Sequence, residues 1–238
     1  MPSSKNAKTS KVAWRRRKDQ REPEILAAAR VVLEENGIAN TSVAMIAARA
    51  GVSEATVYKY FDNKQDLINR VLVAWATPFV EVLEREIKLV KGIGGQLTLV
   101  AIRYLRGMQQ TPRVHRLYYQ ELKWENYFGS PLHQINRRFS NIVVSVIRKG
   151  IDSGELKPDI DPLVTRDILF GGLEHIGQRT IFAGRPLDVE REASKLVSQI
   201  LGGIRRTAGP DGGGDSITRL NEIISSLQLL RNDILKNR

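Results

Sequence analysis

Between Ser42 and Lys64 the chain gathers side chains that suit a polyanionic partner. Ser42, Thr56, Lys59, Tyr60 and Lys64 carry hydroxyl and ammonium groups, which bond phosphate oxygens. Val43, Ala55 and Tyr58 offer apolar surface of the kind that meets a thymine methyl at a base edge. That chemistry needs two short helices meeting at a sharp turn, with these residues on one outward face. The punctuation fits: apolar residues recur at helical spacing on both sides of Gly51, which can take the left-handed conformation that ends a helix. Val52 can plug the corner, Ala47 and Ala50 are small where two helices cross, and Ser53 is placed to cap the second helix. Ile46 and Val57 face a small shared core. This is a helix-turn-helix pattern, whose second helix enters the major groove of DNA; a helical hairpin without a ligand is the bland alternative.

Other elements must position this pair. Residues 1–18 read as a basic flexible arm carrying Lys5, Lys8, Lys11, Arg15, Arg16, Arg17 and Lys18, with almost nothing to bury. Beside a helix-turn-helix such an arm either follows phosphates, enters the minor groove, or merely solubilises. A DNA-binding domain over 19–66 starts with a helix from Asp19 or Pro23 to Asn36, burying Ile25, Leu26, Ala29, Val32 and Leu33 and stopping at Gly37. Asp62 or Asn63 caps a long fourth helix, whose exposed amides and Lys64 together suit one phosphate.

The run Thr41-Ser42-Val43, Ile46-Ala47, Ala50-Gly51-Val52-Ser53, Thr56-Val57-Tyr58, Tyr60-Phe61, Lys64 and Leu67 resembles the TetR family of bacterial transcriptional regulators. The resemblance implies an all-α fold: an N-terminal three-helix module, then a helical body over 67–208 that binds a ligand and dimerises. Two residues depart from the pattern. Met45 stands where an acidic capping-box partner is common. Glu54 either accepts from a cytosine amino group or favours the helix N-terminus, and we read it as the second.

In the body, helical patterns cover about Gln96 to Gln110, Pro112 to Lys123, Pro131 to Ser153, Asp161 to Ala183 and Leu187 to Arg206. The resemblance implies a cavity between the fourth to eighth helices, and Trp75, Phe79, Tyr104, Met108, Tyr118, Leu122, Phe128, Phe170, Arg137 and Glu174 are its candidate lining; the apolar ones serve equally as core. Gln120-Glu121-Leu122, Ile151 to Lys157 and Ile168 to Gly171 are similar to the branch that controls fatty-acid degradation and responds to long-chain acyl-CoA. On that reading Arg137 and Arg138, or Arg103 and Arg106, meet the CoA phosphates. The family's homodimer pairs its last two body helices with those of a second subunit, for which Ile168, Gly172, Ile176, Leu196, Ile200 and Ile204 are candidates beside their role as ordinary core. Residues 209–215 read as a glycine-rich linker. Residues 216–238 read as an amphipathic helix that packs on its own body, across the dimer or in a second oligomer contact.

Among 238 residues, Lys and Arg number 37 against 26 Asp and Glu, a formal charge of +11 that fits a polyanionic partner or an acidic membrane surface. No cysteine is present, which excludes disulfides and thiolate metal sites. No apolar run has the length of a membrane span, so we expect a cytoplasmic, nucleoid-associated protein without a membrane partner. His115, His133 and His175 lie on separate predicted helices, with neither HExxH nor a nucleophile elbow; we expect no enzyme, metal or cofactor. The expected function is a repressor released from a palindromic or near-palindromic operator by a small apolar or acyl-CoA-type ligand. The alternative is a nucleoid-associated or cell-division regulator acting through DNA and a protein partner.

Overall fold

The computed structural model describes residues 5–121 and 127–205, with side chains from Gln20 onward. The described residues belong to one compact unit, which ends at Arg205. The linker and terminal helix expected over 209–238 lie outside the described residues, as does Leu122. The described part is all-α, in the order α1 (Lys5–Asn40), α2 (Val43–Ala50), α3 (Glu54–Val57), α4 (Lys64–Glu86), α5 (Ile93–Gln110), α6 (Pro112–Glu121), α7 (Pro131–Asp152), α8 (Pro162–Arg179) and α9 (Val189–Ile204).

Local chemistry accounts for most boundaries. Ser42, Ser53 and Asn63 each accept a hydrogen bond from the backbone amide three residues on, capping α2, α3 and α4. Gly51, at φ 65° and ψ 35°, closes α2 in the left-handed region. Three boundaries differ from the sequence-based expectation. The backbone is already helical from Lys5, because the run before Pro23 is rich in Ala, Lys and Arg and contains no helix breaker. Helix α1 also resumes past a kink at Gly37 (φ 74°, ψ 172°) and ends at Asn40. Finally, α3 is one turn long; Lys59 and Tyr60 continue it through tighter bonds from their amides to the carbonyls of Thr56 and Val57, at 3.2 and 2.9 Å.

The apolar residues fall into two cores. One lies in the body and joins α4, α5, α7, α8 and α9 through Leu83, Leu97, Leu105, Val143, Leu173 and Val197. The other lies under the helix-turn-helix and joins Ile25 and Leu33 of α1, Ile46, Val57, Phe61 and Leu67. The second core does not stop at residue 66. It takes in Val71 and Leu72 of α4, Val114 and Leu117 of α6, Tyr127 and Leu132, so α6 of the body is built into the base of the module.

Candidate functional site

The outward face of the helix-turn-helix is narrower than expected. Ala55, Tyr58 and Lys59 are exposed, Tyr58 at 51%. Tyr60 is half-buried against the module core. The Ser42 hydroxyl accepts from the Met45 amide at 3.2 Å, which leaves its own proton free to donate, and the Thr56 hydroxyl lies 2.9 Å from the capping Ser53 Oγ. Val43 is a correction: at 7% exposure it belongs to the core and cannot reach a base edge. Val43, Ile46 and Ala47 share the inward side of α2 at spacings of three and four, which turns Ala44 and the 38% exposed Met45 outward instead. That spacing is the signal by which the sequence places Met45 on this face.

Lys64 is also placed differently. Its Nζ donates to the Ile38 carbonyl at 2.7 Å, tying the start of α4 to the end of α1. An ammonium has three donors, so this bond occupies one and leaves two for a phosphate. Nothing is described of the Arg15, Arg16 and Arg17 side chains.

A cavity of about 700 Å³ opens among α4, α5, α6, α7 and α8. Trp75, Phe79, Tyr104, Tyr118, Phe128, Arg137, Phe170 and Glu174 line it. Met108 does not: it is fully buried, with its side chain against Gly177 of α8. Arg103, Arg106 and Arg138 also lie elsewhere, paired with Glu86, Glu190 and Glu84. The structure adds His115, His133, Asn136, Phe139 and Arg166 to the lining. Arg166 bonds Asp167, its neighbour at the cavity wall, through Nε and Nη2 at 2.9 and 2.7 Å.

Burial sets the protonation of the lining. It presses His115 from its ordinary 6.5 to about 4, against the opposing hydrogen bond to the Thr111 carbonyl, so the ring is neutral near pH 7. Burial also raises the Tyr104 and Tyr118 hydroxyls well above their usual range and raises the Glu174 carboxyl, which the neighbouring His175 partly offsets. The Tyr104 and Tyr119 hydroxyls bond each other. The His115 ring stands edge-on to Trp75, with centroids 4.7 Å apart.

Helix α6 links the two sites. Its His115 and Tyr118 line the cavity, while Val114 and Leu117 are buried in the module core, against which Tyr118 also packs. At its C-terminal end Glu121, 5% exposed, accepts from the Gln65 side-chain amide on α4. Burial raises the Glu121 carboxyl, and the Gln65 bond opposes that rise.

Residues 25–71 match the family described as bacterial regulatory proteins, tetR family, and residues 75–203, more than half the chain, match the C-terminal region of the YsiA-like proteins. The chain belongs to the tetR family. It is therefore a transcriptional regulator and not an enzyme. Among similar proteins, the fatty acid metabolism regulator protein of Bacillus subtilis (strain 168) is 26% identical over 182 residues, covering 76% of this chain and 94% of the relative. The transcriptional repressor KstR2 of Rhodococcus jostii (strain RHA1) is 26% identical over 148 residues, covering 60% and 72%. The crystal structure of FadR from Bacillus subtilis in complex with stearoyl-CoA superposes with a TM-score of 0.68 at 26% identity, covering 76% of this chain and 98% of that one. FadR from Bacillus halodurans, at 21% identity and a TM-score of 0.67, shares the fold over 77% and 99%.

The dimerisation candidates of this tetR-family chain separate by burial. Ile168 is 55% exposed on α8, one turn from Val164 at 54%, while the 48% exposed Leu163 turns toward the cavity. Ile176 and Ile200, at 7% and 9%, are packed in the subunit's own core, whereas Gly172 and Leu196 lie against each other and stay half-buried. Ile204 is half-buried at the end of α9. Among the described residues, no cluster of His, Asp or Glu could hold a metal, and no helix is long and apolar enough to cross a membrane.

Proposed function

We propose that this tetR-family chain is a cytoplasmic, nucleoid-associated homodimeric repressor that holds a palindromic or near-palindromic operator and releases it when an acyl-CoA-type ligand enters the cavity. Ala55, Tyr58 and Lys59 meet the major groove; Ser42, Thr56, Tyr60 and Lys64 hold its backbone, and the basic run Arg15, Arg16 and Arg17 adds further phosphate bonds. The apolar chain of the ligand lies among Trp75, Phe79, Tyr104, Phe139 and Phe170, and its phosphates meet Arg137 and Arg166.

The observation that carries this reading is the position of α6, with one face in the cavity and the other in the module core. A ligand that favours one placement of His115 and Tyr118 also favours one placement of Val114 and Leu117. It thereby shifts the population of module spacings that fit successive major grooves. The likeness to a regulator solved with stearoyl-CoA supports the ligand class. The cavity weighs against a nucleoid-associated cell-division regulator, whose body would have no need of one.

The test is an operator titration at fixed salt, on DNA selected from random sequence, with and without stearoyl-CoA. A loss of operator affinity of about tenfold is expected, within the usual range of coupling between two sites. Unchanged affinity across saturated acyl-CoA esters of graded length would overturn the effector assignment, and monomeric operator binding would overturn the dimer.

A further inference from the structure

The lining of the cavity is not uniformly apolar: His115, Tyr118 and Glu174 stand among its aromatic residues. Tyr104 and His115 have ring centroids 6.3 Å apart, Trp75 and Tyr118 are 6.0 Å apart, and Glu174 stands one helical turn beyond Phe170, whose ring lies 5.8 Å from that of Tyr104. His115 bonds the Thr111 carbonyl through Nδ1 at 3.2 Å, which puts the proton of the neutral ring there and leaves Nε2 as an acceptor. Nε2, the Tyr118 hydroxyl and the Glu174 carboxyl make no hydrogen bond with the described residues. They are not sealed in the protein either, for the sealed side-chain atom without a partner among the described residues is Oδ1 of Asn69. All three residues line the cavity. The basic Arg166 lies toward the other end of α8, separated from Glu174 by about 12 Å of helix rise.

A plain alkyl chain in this space would cover those three groups and satisfy none of them, which costs binding energy at each. A group that donates a hydrogen bond meets two acceptors, the His115 Nε2 and the Glu174 carboxyl, and a hydroxyl can also accept from Tyr118. We propose that the cavity selects an acyl chain bearing a hydroxyl at its inserted end over the saturated chain of equal length. This rests on reading the cavity as the site of an acyl ligand, and it names the chemical class of that ligand more narrowly.

The experiment is calorimetric titration of the full chain with four probes: dodecanoyl-CoA, ω-hydroxydodecanoyl-CoA, and the two corresponding free acids. Tighter binding of the hydroxylated member by about tenfold is expected within either pair, the effect of one hydrogen bond to a charged or strongly accepting group. In His115→Phe and Glu174→Leu, checked for folding by circular dichroism, the ratio within the pair should fall toward one. Equal affinities within both pairs, tighter binding of the plain chain, or a ratio that both variants leave intact would each overturn the inference. Esters that bind no better than the free acids would overturn the CoA assignment alone, and the preference within the free-acid pair would still decide the hydroxyl.

Discussion

The side-chain amide of Gln65, at the second position of α4, donates to the buried carboxylate of Glu121, the last residue of α6. This bond joins the first turn of the helix that follows the helix-turn-helix to the helix that walls the cavity, and it lies one residue from the Lys64 bond to Ile38. Two polar contacts thus fix the first turn of α4 against α6 and against the end of α1.

Gln65→Ala is expected to leave operator binding in place while weakening the effector's hold over it. Leaving the Glu121 carboxylate buried without its donor should cost about 1–2 kcal/mol of stability, read by urea unfolding. The ratio of operator affinities without and with stearoyl-CoA should fall from about ten toward one. A ratio equal to that of the unaltered protein would mean that coupling runs through the apolar contacts of Val114 and Leu117 alone.

Tyr58→Ala and Lys59→Ala remove exposed side chains, so unfolding should shift by no more than about 0.5 kcal/mol. Fluorescence anisotropy should show operator binding weakened by both, Tyr58→Ala by about 1–3 kcal/mol if it meets a base. Lys59→Ala should lower the slope of log affinity against log salt by about one for each phosphate that the ammonium neutralises. Val43→Ala should act in the opposite way, lowering stability by about 1–2 kcal/mol, because Val43 is core.

Two glycines of α8 give a paired stability test. A Cβ at Gly177 would lie 2.2 Å from Met108 Cε, whereas one at Gly171 meets nothing within 4 Å. Gly177→Ala should destabilise by about 1–3 kcal/mol through overpacking. Gly171→Ala should be neutral or stabilise by up to about 1 kcal/mol, the helix-propensity difference. Thermal unfolding of both variants checks the contrast.

Ile168→Glu places a charge on the exposed apolar face of α8 shared with Val164, one turn away. If that face pairs two subunits, sedimentation should show monomer at concentrations where the unaltered protein is dimeric, with circular dichroism unchanged. Operator affinity should fall with it, since two half-sites are then no longer held together.

The pH dependence of stability has a definite sign. His115 titrates at about 4 in the folded chain against 6.5 ordinarily, so between those values the unfolded chain takes up a proton that the folded chain does not. Its contribution is fully present above pH 6.5, declines as pH falls, and levels off below about 4, a swing of about 3 kcal/mol. The raised carboxyls of Glu121 and Glu174 act in the opposite direction, losing stability as pH rises through their range. Subtracting the pH profile of His115→Phe from that of the unaltered protein isolates the histidine, and identical profiles would refute the assignment.

What could be read without the structure was local. Ser53 before an apolar period, Gly51 after one, and Asn63 ahead of Lys64 specify caps and stops through contacts within a few residues, so the turn, the all-α class and the family were legible from residue order. Helical spacing likewise marks which residues point inward, and the same spacing applied to α2 distinguishes Val43 from Met45. The aromatic supply of the cavity was visible as composition, since Trp75, Phe79, Tyr104, Tyr118, Phe128 and Phe170 all line it.

Tertiary packing alone decided the rest, because it depends on groups far apart in the chain. Lys64 reaches Ile38, Gln65 reaches Glu121, and Met108 is drawn against Gly177 instead of into the cavity. No local period specifies that α6 serves two cores, or that His115, Tyr118 and Glu174 present their polar atoms to one space. Periodicity determines which face of a helix is buried, whereas the identity of what it is buried against follows only when the helices meet.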